Sequence, residues 1–299
     1  MQRRSRGLRK LCRLLGYTPQ AYYQYHSGLK ERFLKEELLI QQVIYHRRLQ
    51  PRLGARKLLL IMQPFMRQHQ IVIGRDMFFE LLRVYGFLVR KHRKRGPRTT
   101  FSAHWFKKYP DLVKGMIVNH PDQVWVSDIT YIPLHKGFAY LSLVTDAYSR
   151  KIMGYRLSPD LTSQECLKAL EMALTNRTGT QPLIHHSDRG IQYCSAAYTR
   201  LLKDNDISIS MTQSGNPRDN AIAERVNGIL KQELLSPVYS NYTTARRAVG
   251  EAIDTYNRLR PHSSVDMLTP EQAHSQTAEI RRRWRNYFRT SKKEVMMDG

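Results

Sequence analysis

The 299-residue chain is predicted to be an α/β protein: a mixed β-sheet flanked by helices, preceded by an all-α basic region of helix-turn-helix type. Three observations carry this reading. Residues 1 to 120 hold 26 Lys and Arg against 6 Asp and Glu, whereas residues 121 to 235 hold 12 of each and residues 236 to 299 hold 11 against 7. In the basic part, apolar residues recur at helical spacing. Past residue 120, runs rich in Val, Ile, Tyr and Thr give way to helical stretches, the pattern of a sheet with helices packed on it. The same composition excludes other classes. No uninterrupted apolar stretch of about 18 residues is present, which argues against a membrane span. Three cysteines without metal-ligand spacing argue against a disulfide framework or a thiolate zinc site and imply a reducing, cytoplasmic setting. An excess of 20 positive charges before residue 121 exceeds what solubility requires and points to a polyanion, nucleic acid, as partner.

In "SRGLRKLCRLLGYTPQAYYQY", Leu8, Leu11, Leu14 and Leu15 share a helical stripe, Gly16 stops the helix, and Thr18 with Pro19 opens another as N-cap and first-turn residue. A second helix pair lies in "GARKLLLIM" and "GRDMFFELLRVYGFL": Asp76 is a candidate cap, Phe78, Leu81, Leu82 and Tyr85 form the stripe, and Gly86 ends it. Between them "KERFLKEELLIQQVIYHRRL" is a longer amphipathic helix, either core or pairing surface. A recognition helix presents its N-terminal residues to base edges, which places specificity near Gln20–Gln24 and Arg75–Glu80, with Arg75 a candidate DNA contact. The run "RKHRKRGPRTTFSAHWFKKYP" reads as a linker lying along phosphates, with Arg93, Lys94 and Arg95 as backbone contacts. The expected boundaries are 1–97 for the DNA-binding region, 98–119 for the linker, 120–235 for the core and 236–299 for a helical tail.

Within the core, "QVWVSDITYIPL", "FAYLSLVTDAYS" and "KIMGYRLSP" are three consecutive strands. The helix "TSQECLKALEMALTNR" follows, capped at Thr162 or Ser163, with Leu167, Leu170, Met172 and Leu174 largely inward. Then come a fourth strand in "PLIHHSD", a helix in "CSAAYTRLLKDND", a fifth strand in "ISISMT" and a last helix after "GNPRDN", for which Asp219 is the expected N-cap. The order βββαβαβα is the ribonuclease H-like arrangement.

Three acidic residues stand out because three separate elements carry them. Asp128 lies inside the first strand among apolar neighbours, where an unpaired carboxylate is disfavoured. Asp188 ends the fourth strand, which in a sheet of this order can lie beside the first, and Gly190 lets the chain turn away from it. Glu224 is on the last helix, 35 residues after Asp188 by intervening count. Each alone has an ordinary explanation: a salt-bridged strand residue, a turn residue, an exposed helical residue. Asp146, ending the second strand next to Ser149-Arg150, is read as turn chemistry. His185 and His186 alternate across their strand, and neither is assigned to a metal.

"WVSDITY" around Asp128, "HSDRGIQY" around Asp188 and "DNAIAER" with Glu224 resemble the D,D(35)E core of retroviral integrases and bacterial insertion-sequence transposases. The resemblance is strongest to the second-frame (OrfB-type) transposases of the insertion sequence three family. Lys231, seven residues after Glu224, and the C-terminal "YNRLRPHSS" and "LTPEQ" extend it. It implies metal-dependent DNA strand cleavage and strand transfer at insertion-sequence ends, with Asp128, Asp188 and Glu224 as catalytic metal ligands. Three carboxylates suit two hard cations, Mg²⁺ or Mn²⁺, in a two-metal displacement at phosphorus. It further implies that Asn220 and Lys231 contact DNA, and that the partners are terminal inverted repeats, target DNA, further copies of the chain in a synaptic complex and an upstream-frame product. Arg218 departs from the aromatic residue frequent in relatives of this kind. Two other functions compete: a DNA-binding regulator without catalysis, and a nuclease that only hydrolyses.

Overall fold

The computed structural model describes residues 2–89, 105–213, 220–276 and 280. The chain divides into two compact units, Met1–Lys91 and His92–Gly299. Among the described residues, no helix is long and apolar enough to cross a membrane.

The first unit is helical: α1 (Gln2–Leu14), α2 (Pro19–Leu49), α3 (Ala55–Gln68) and α4 (Arg75–Val84). Gly16 takes a left-handed φ of 73° in the first turn, and Thr18 caps α2 by accepting from the Ala21 amide at 3.1 Å. What reads in the sequence as two segments is one continuous helix through Gly28, because nothing between Pro19 and Leu49 removes a backbone donor. Its C-terminal half supplies Leu39, Ile40 and Val43 to a core completed by Leu58 and Met62 of α3 and by Phe78 and Leu82 of α4. In α1 the leucine stripe is exposed at Leu11, Leu14 and Leu15, while Cys12 is buried. Asp76 does not cap α4. Gly74 occupies the N-cap, and Asp76, in the first turn, pairs with Arg75 at 2.8 Å.

The second unit is built on β1 (Val124–Pro133), β2 (Phe138–Asp146), β3 (Ile152–Ser158), β4 (Ile184–Ser187) and β5 (Ser208–Met211), in the sheet order β3-β2-β1-β4-β5. The first three strands form an antiparallel meander, while β4 joins β1 in parallel and β5 joins β4 in parallel. Period-two alternation gives the sheet two buried faces. Val144 and Met153 point to a core with α5 (Ser163–Thr175), α6 (Ile191–Cys194) and α7 (Ala196–Asp204). Leu141, Leu143 and Leu157 point to the other, with α8 (Ala221–Ile229) and α9 (Tyr242–Arg258). Gly154 lets α5 approach β3, since a Cβ there would lie 2.1 Å from the Ala169 carbonyl. On α5, Leu167 and Leu170 are inside as expected, but Met172 is turned outward and Ala173 takes the inner position, where the close approach leaves room only for a small side chain.

Two segments expected to be peripheral belong to this unit. Ahead of β1, the Leu112 amide donates to Ser210 Oγ at 2.8 Å, and Val113, Met116 and Val118 pack beside Val124 and Val126. Behind α8, α9 fills one face of the sheet, and the short α10 (Pro270–Ser275), closed by a Thr269–Gln272 capping box, follows it. The C-terminal segment is therefore core over its described residues, because the sheet face that α8 leaves open is apolar and α9 covers it.

Candidate active site

Asp128 sits at the middle of β1, paired with Leu143 of β2, and is half-buried. Asp188 follows directly on β4, whose parallel pairing with β1 matches Val126 to His186. Glu224 lies in the first turn of α8 and is exposed. Asp128 feels the other two: burial, reinforced by the charge of Asp188 and to a smaller extent by Glu224, pushes its carboxyl up to about 7, against the pull of a hydrogen bond from Asn227. Partial burial also raises Glu224. Asp188 and Glu224, from two other elements, thus lie near enough for their charges to bear on Asp128.

Local contacts explain how each is held. Asn227 Nδ2 donates to Asp128 Oδ2 at 2.7 Å, and Asn220 Nδ2 donates to the Ser127 carbonyl at 2.9 Å, so two amides seven residues apart pin α8 against β1. Asn220 is the N-cap residue of α8 and is buried, so its side chain holds the helix and does not reach outward as the sequence suggested. Gly190 has a φ of −63°, which any residue adopts, so the glycine is not there to turn the chain. It is there because its amide donates to Asp188 Oδ1 at 3.0 Å and an added Cβ would lie 2.9 Å from that same oxygen. Lys231, exposed on the π-turn Leu230–Leu234 that extends α8, has its ammonium lowered by partial burial, an effect the charge of Asp128 opposes.

Asn227 was missed in the sequence, although a signal existed: asparagine is a poor interior helix residue, yet it stands one turn past Glu224. Arg75 is exposed at the start of α4. Arg93, Lys94, Arg95, Arg218 and Asp219 lie outside the described residues.

A second acidic group has a different character. Asp122, Asp146 and His274 are close enough to hold an ion, but protein donors already serve both carboxylates. Asp146 Oδ1 accepts from the amide and hydroxyl of Ser149, both at 2.7 Å, and Oδ2 accepts from the Asp122 amide at 2.8 Å. Trp125 Nε1 donates to Asp122 Oδ1 at 2.9 Å, and His274 Nδ1 meets Ser149 Oγ at 3.1 Å. Asp146 is thus a turn residue, and the trio ties α10 to the end of β2. The strand histidines are also structural. His185 Nε2 is shared by Ser127 Oγ at 2.7 Å and the Tyr198 hydroxyl at 3.0 Å, and burial pushes this imidazole down to about 3, keeping it neutral. His186 Nδ1 meets Ser210 Oγ at 2.8 Å.

A five-stranded mixed sheet with carboxylates on its first strand, after its fourth, and on the helix α8 that packs on it defines a ribonuclease H-like core. The integrase core domain family matches residues 118–217, and a second family of the same description matches residues 205–270. The 31 kDa protein of insertion element IS600 from Shigella sonnei is 32% identical over 265 residues, covering 87% of this chain and 96% of that protein. Transposase InsF of insertion sequence IS3fB from Escherichia coli K12 is 36% identical over 198 residues, 65% of this chain and 68% of that one. The HTLV-2 integrase catalytic core domain, solved in complex with magnesium as a dimer, is 24% identical with a TM-score of 0.42, covering 52% of this chain and 97% of that chain. The chain belongs to the IS3-type DDE transposases, polynucleotidyl transferases of DNA transposition.

Proposed function

We propose that this chain cuts and joins DNA strands at the ends of its insertion sequence, with Asp128, Asp188 and Glu224 as ligands of two divalent cations, Mg²⁺ or Mn²⁺. The observation that supports this is the electrostatics of Asp128: burial and the charge of Asp188 push its carboxyl up to about 7, the shift that a divalent cation between the carboxylates would reverse. The donor set fits, since three carboxylates offer oxygen alone, the preference of hard cations. Such a pair of ions supplies Lewis-acid stabilisation of the attacking and leaving oxygens.

The remaining work falls to the chain. Asn227 fixes the orientation of Asp128, and the Gly190 amide fixes that of Asp188. Lys231 offers its ammonium beside Asp128 to a phosphate of the bound DNA. The helical front reads the terminal repeats, with Arg75 at a helix start and Arg93, Lys94 and Arg95 on phosphates. Synapsis of two ends uses further copies of the chain, and an upstream-frame product adds a second DNA-binding region.

The test uses end DNA labelled at its 3′-ends and mixed with a target plasmid. Joined product that needs Mg²⁺ or Mn²⁺ and disappears in chelator is expected. Cut ends without joining would make the chain a hydrolytic nuclease, and binding without cutting would make it a regulator.

A further inference from the structure

We propose that Arg260 is a positioning residue of strand transfer, acting through Glu233 on the π-turn that carries Lys231; this rests on the reading of Asp128 as a metal ligand. Arg260 is fully buried. Its Nε and Nη2 donate to Glu233 Oε2 and Oε1, both at 2.8 Å, and its guanidinium carbon lies 5.9 Å from the Tyr256 ring. A buried ion pair is a poor source of stability, because an apolar pair of similar volume is often as good or better. What a two-pronged pair supplies is direction.

The direction it sets is that of the Leu230–Leu234 turn, to which Glu233 belongs. There the Leu235 amide donates to the Leu230 carbonyl at 2.8 Å, one residue beyond α-helical spacing. π-Turns are rare and are frequent at functional sites. Lys231 stands four residues past Asn227, whose amide meets Asp128 Oδ2 at 2.7 Å, so the two share a helix face, and continuation as an α-helix would re-aim the side chains of the turn from Lys231 onward. Arg260, just past the C-cap of α9, holds the wider turn open from outside that helix. The "YNRLRPHSS" segment, more than 100 positions from Asp128 in the chain, thereby acts on the active site.

The experiment is a double-mutant cycle in the full-length protein. R260K keeps the charge but loses the fork. It is expected to lower strand-transfer turnover at saturating end DNA by about 10- to 100-fold, the usual effect of removing a supporting partner, with end-DNA affinity unchanged. K231A should lose a similar factor, and R260K/K231A no more than K231A alone, because Arg260 acts through Lys231. Multiplying losses, or full turnover in R260K, would overturn the proposal. Should R260K melt too low to assay, E233Q takes its place in the same cycle under the same criteria. D128N reads the underlying assignment separately: full activity there sinks the metal-ligand reading, whereas multiplying losses in the cycle sink only the role of Arg260.

Discussion

In the helical unit at the front, ion pairs such as Arg32–Glu36 and Arg83–Glu80 stand at the surface, and over residues 1 to 91 basic residues outnumber acidic ones by 14. In the unit that carries the sheet, residues 121 to 235 balance, and charge goes inside: Arg260 against Glu233 with the arginine fully buried, and Asp128 beside Asp188. Exposed pairs contribute on the order of 0 to 1 kcal/mol each and leave the net charge free to act on DNA at a distance, screened by salt. Buried charges do the reverse. They act only at contact, cost desolvation, and are kept where a fixed geometry or a bound cation is required. The two units thus separate attraction from chemistry.

The sharpest way to break this comparison is to neutralise the buried acids. D128N, D188N and E224Q should each reduce cleavage and joining to background while end-DNA binding by gel shift stays near wild type. Near-normal cleavage by any one of them would remove that residue from the site. Salt should act on the other unit. Binding of end DNA by residues 1 to 97 should fall about 10³- to 10⁵-fold between about 50 and 200 mM salt, as expected for on the order of 6 to 10 phosphate contacts, whereas residues 105 to 299 should bind weakly throughout. Equal end binding by the core would end the division of labour.

A finer test bears on Asp188. G190A places a Cβ against its carboxylate and should cut turnover by about 10-fold or more with a small change in melting temperature, because the damage is to a ligand's orientation and not to the core. Unchanged turnover would mean that Asp188 re-seats freely. Stability gives the next test. Folded Asp128 holds its proton up to about 7, while the unfolded chain releases it in the ordinary carboxylate range. Metal-free protein therefore loses stability as pH rises through that window. D128N should melt a few degrees above wild type near neutral pH in chelator, the gap closing as pH falls, read by thermal scans from about pH 5 to about pH 8. The smallest effect is expected from S149A, which removes one bond to Asp146 and should cost about 1 kcal/mol without changing metal dependence. A changed metal requirement in S149A would bring Asp146 into the site after all.

Much of this was legible in the chain because it is local. Strand alternation around Asp128 and Leu143, the caps at Thr18 and Thr162, the positive-φ glycines at Gly16 and Gly86, and the division of charge all follow from neighbouring residues. Asp146 as a turn residue was legible from Ser149, three positions on. Harder to read were features decided across the fold. Met172 faces outward and Ala173 inward because Gly154 draws α5 onto β3, and on α1 it is Cys12 that is buried while Leu11 and Leu14 stay exposed.

The sequence by itself determined that there would be a basic helical front, a mixed sheet, and three carboxylates on three elements, because periodicity, charge and residue type are properties of short stretches. Only the tertiary structure decided what surrounds those carboxylates. Asn227 reaches Asp128 across 99 positions, Asn220 turns inward to the Ser127 carbonyl 93 positions away, and Arg260 closes on Glu233 across 27. Hydrogen bonds and burial depend on distance in space, and no spacing along the chain encodes which amide will be beside which carboxylate once the sheet has formed.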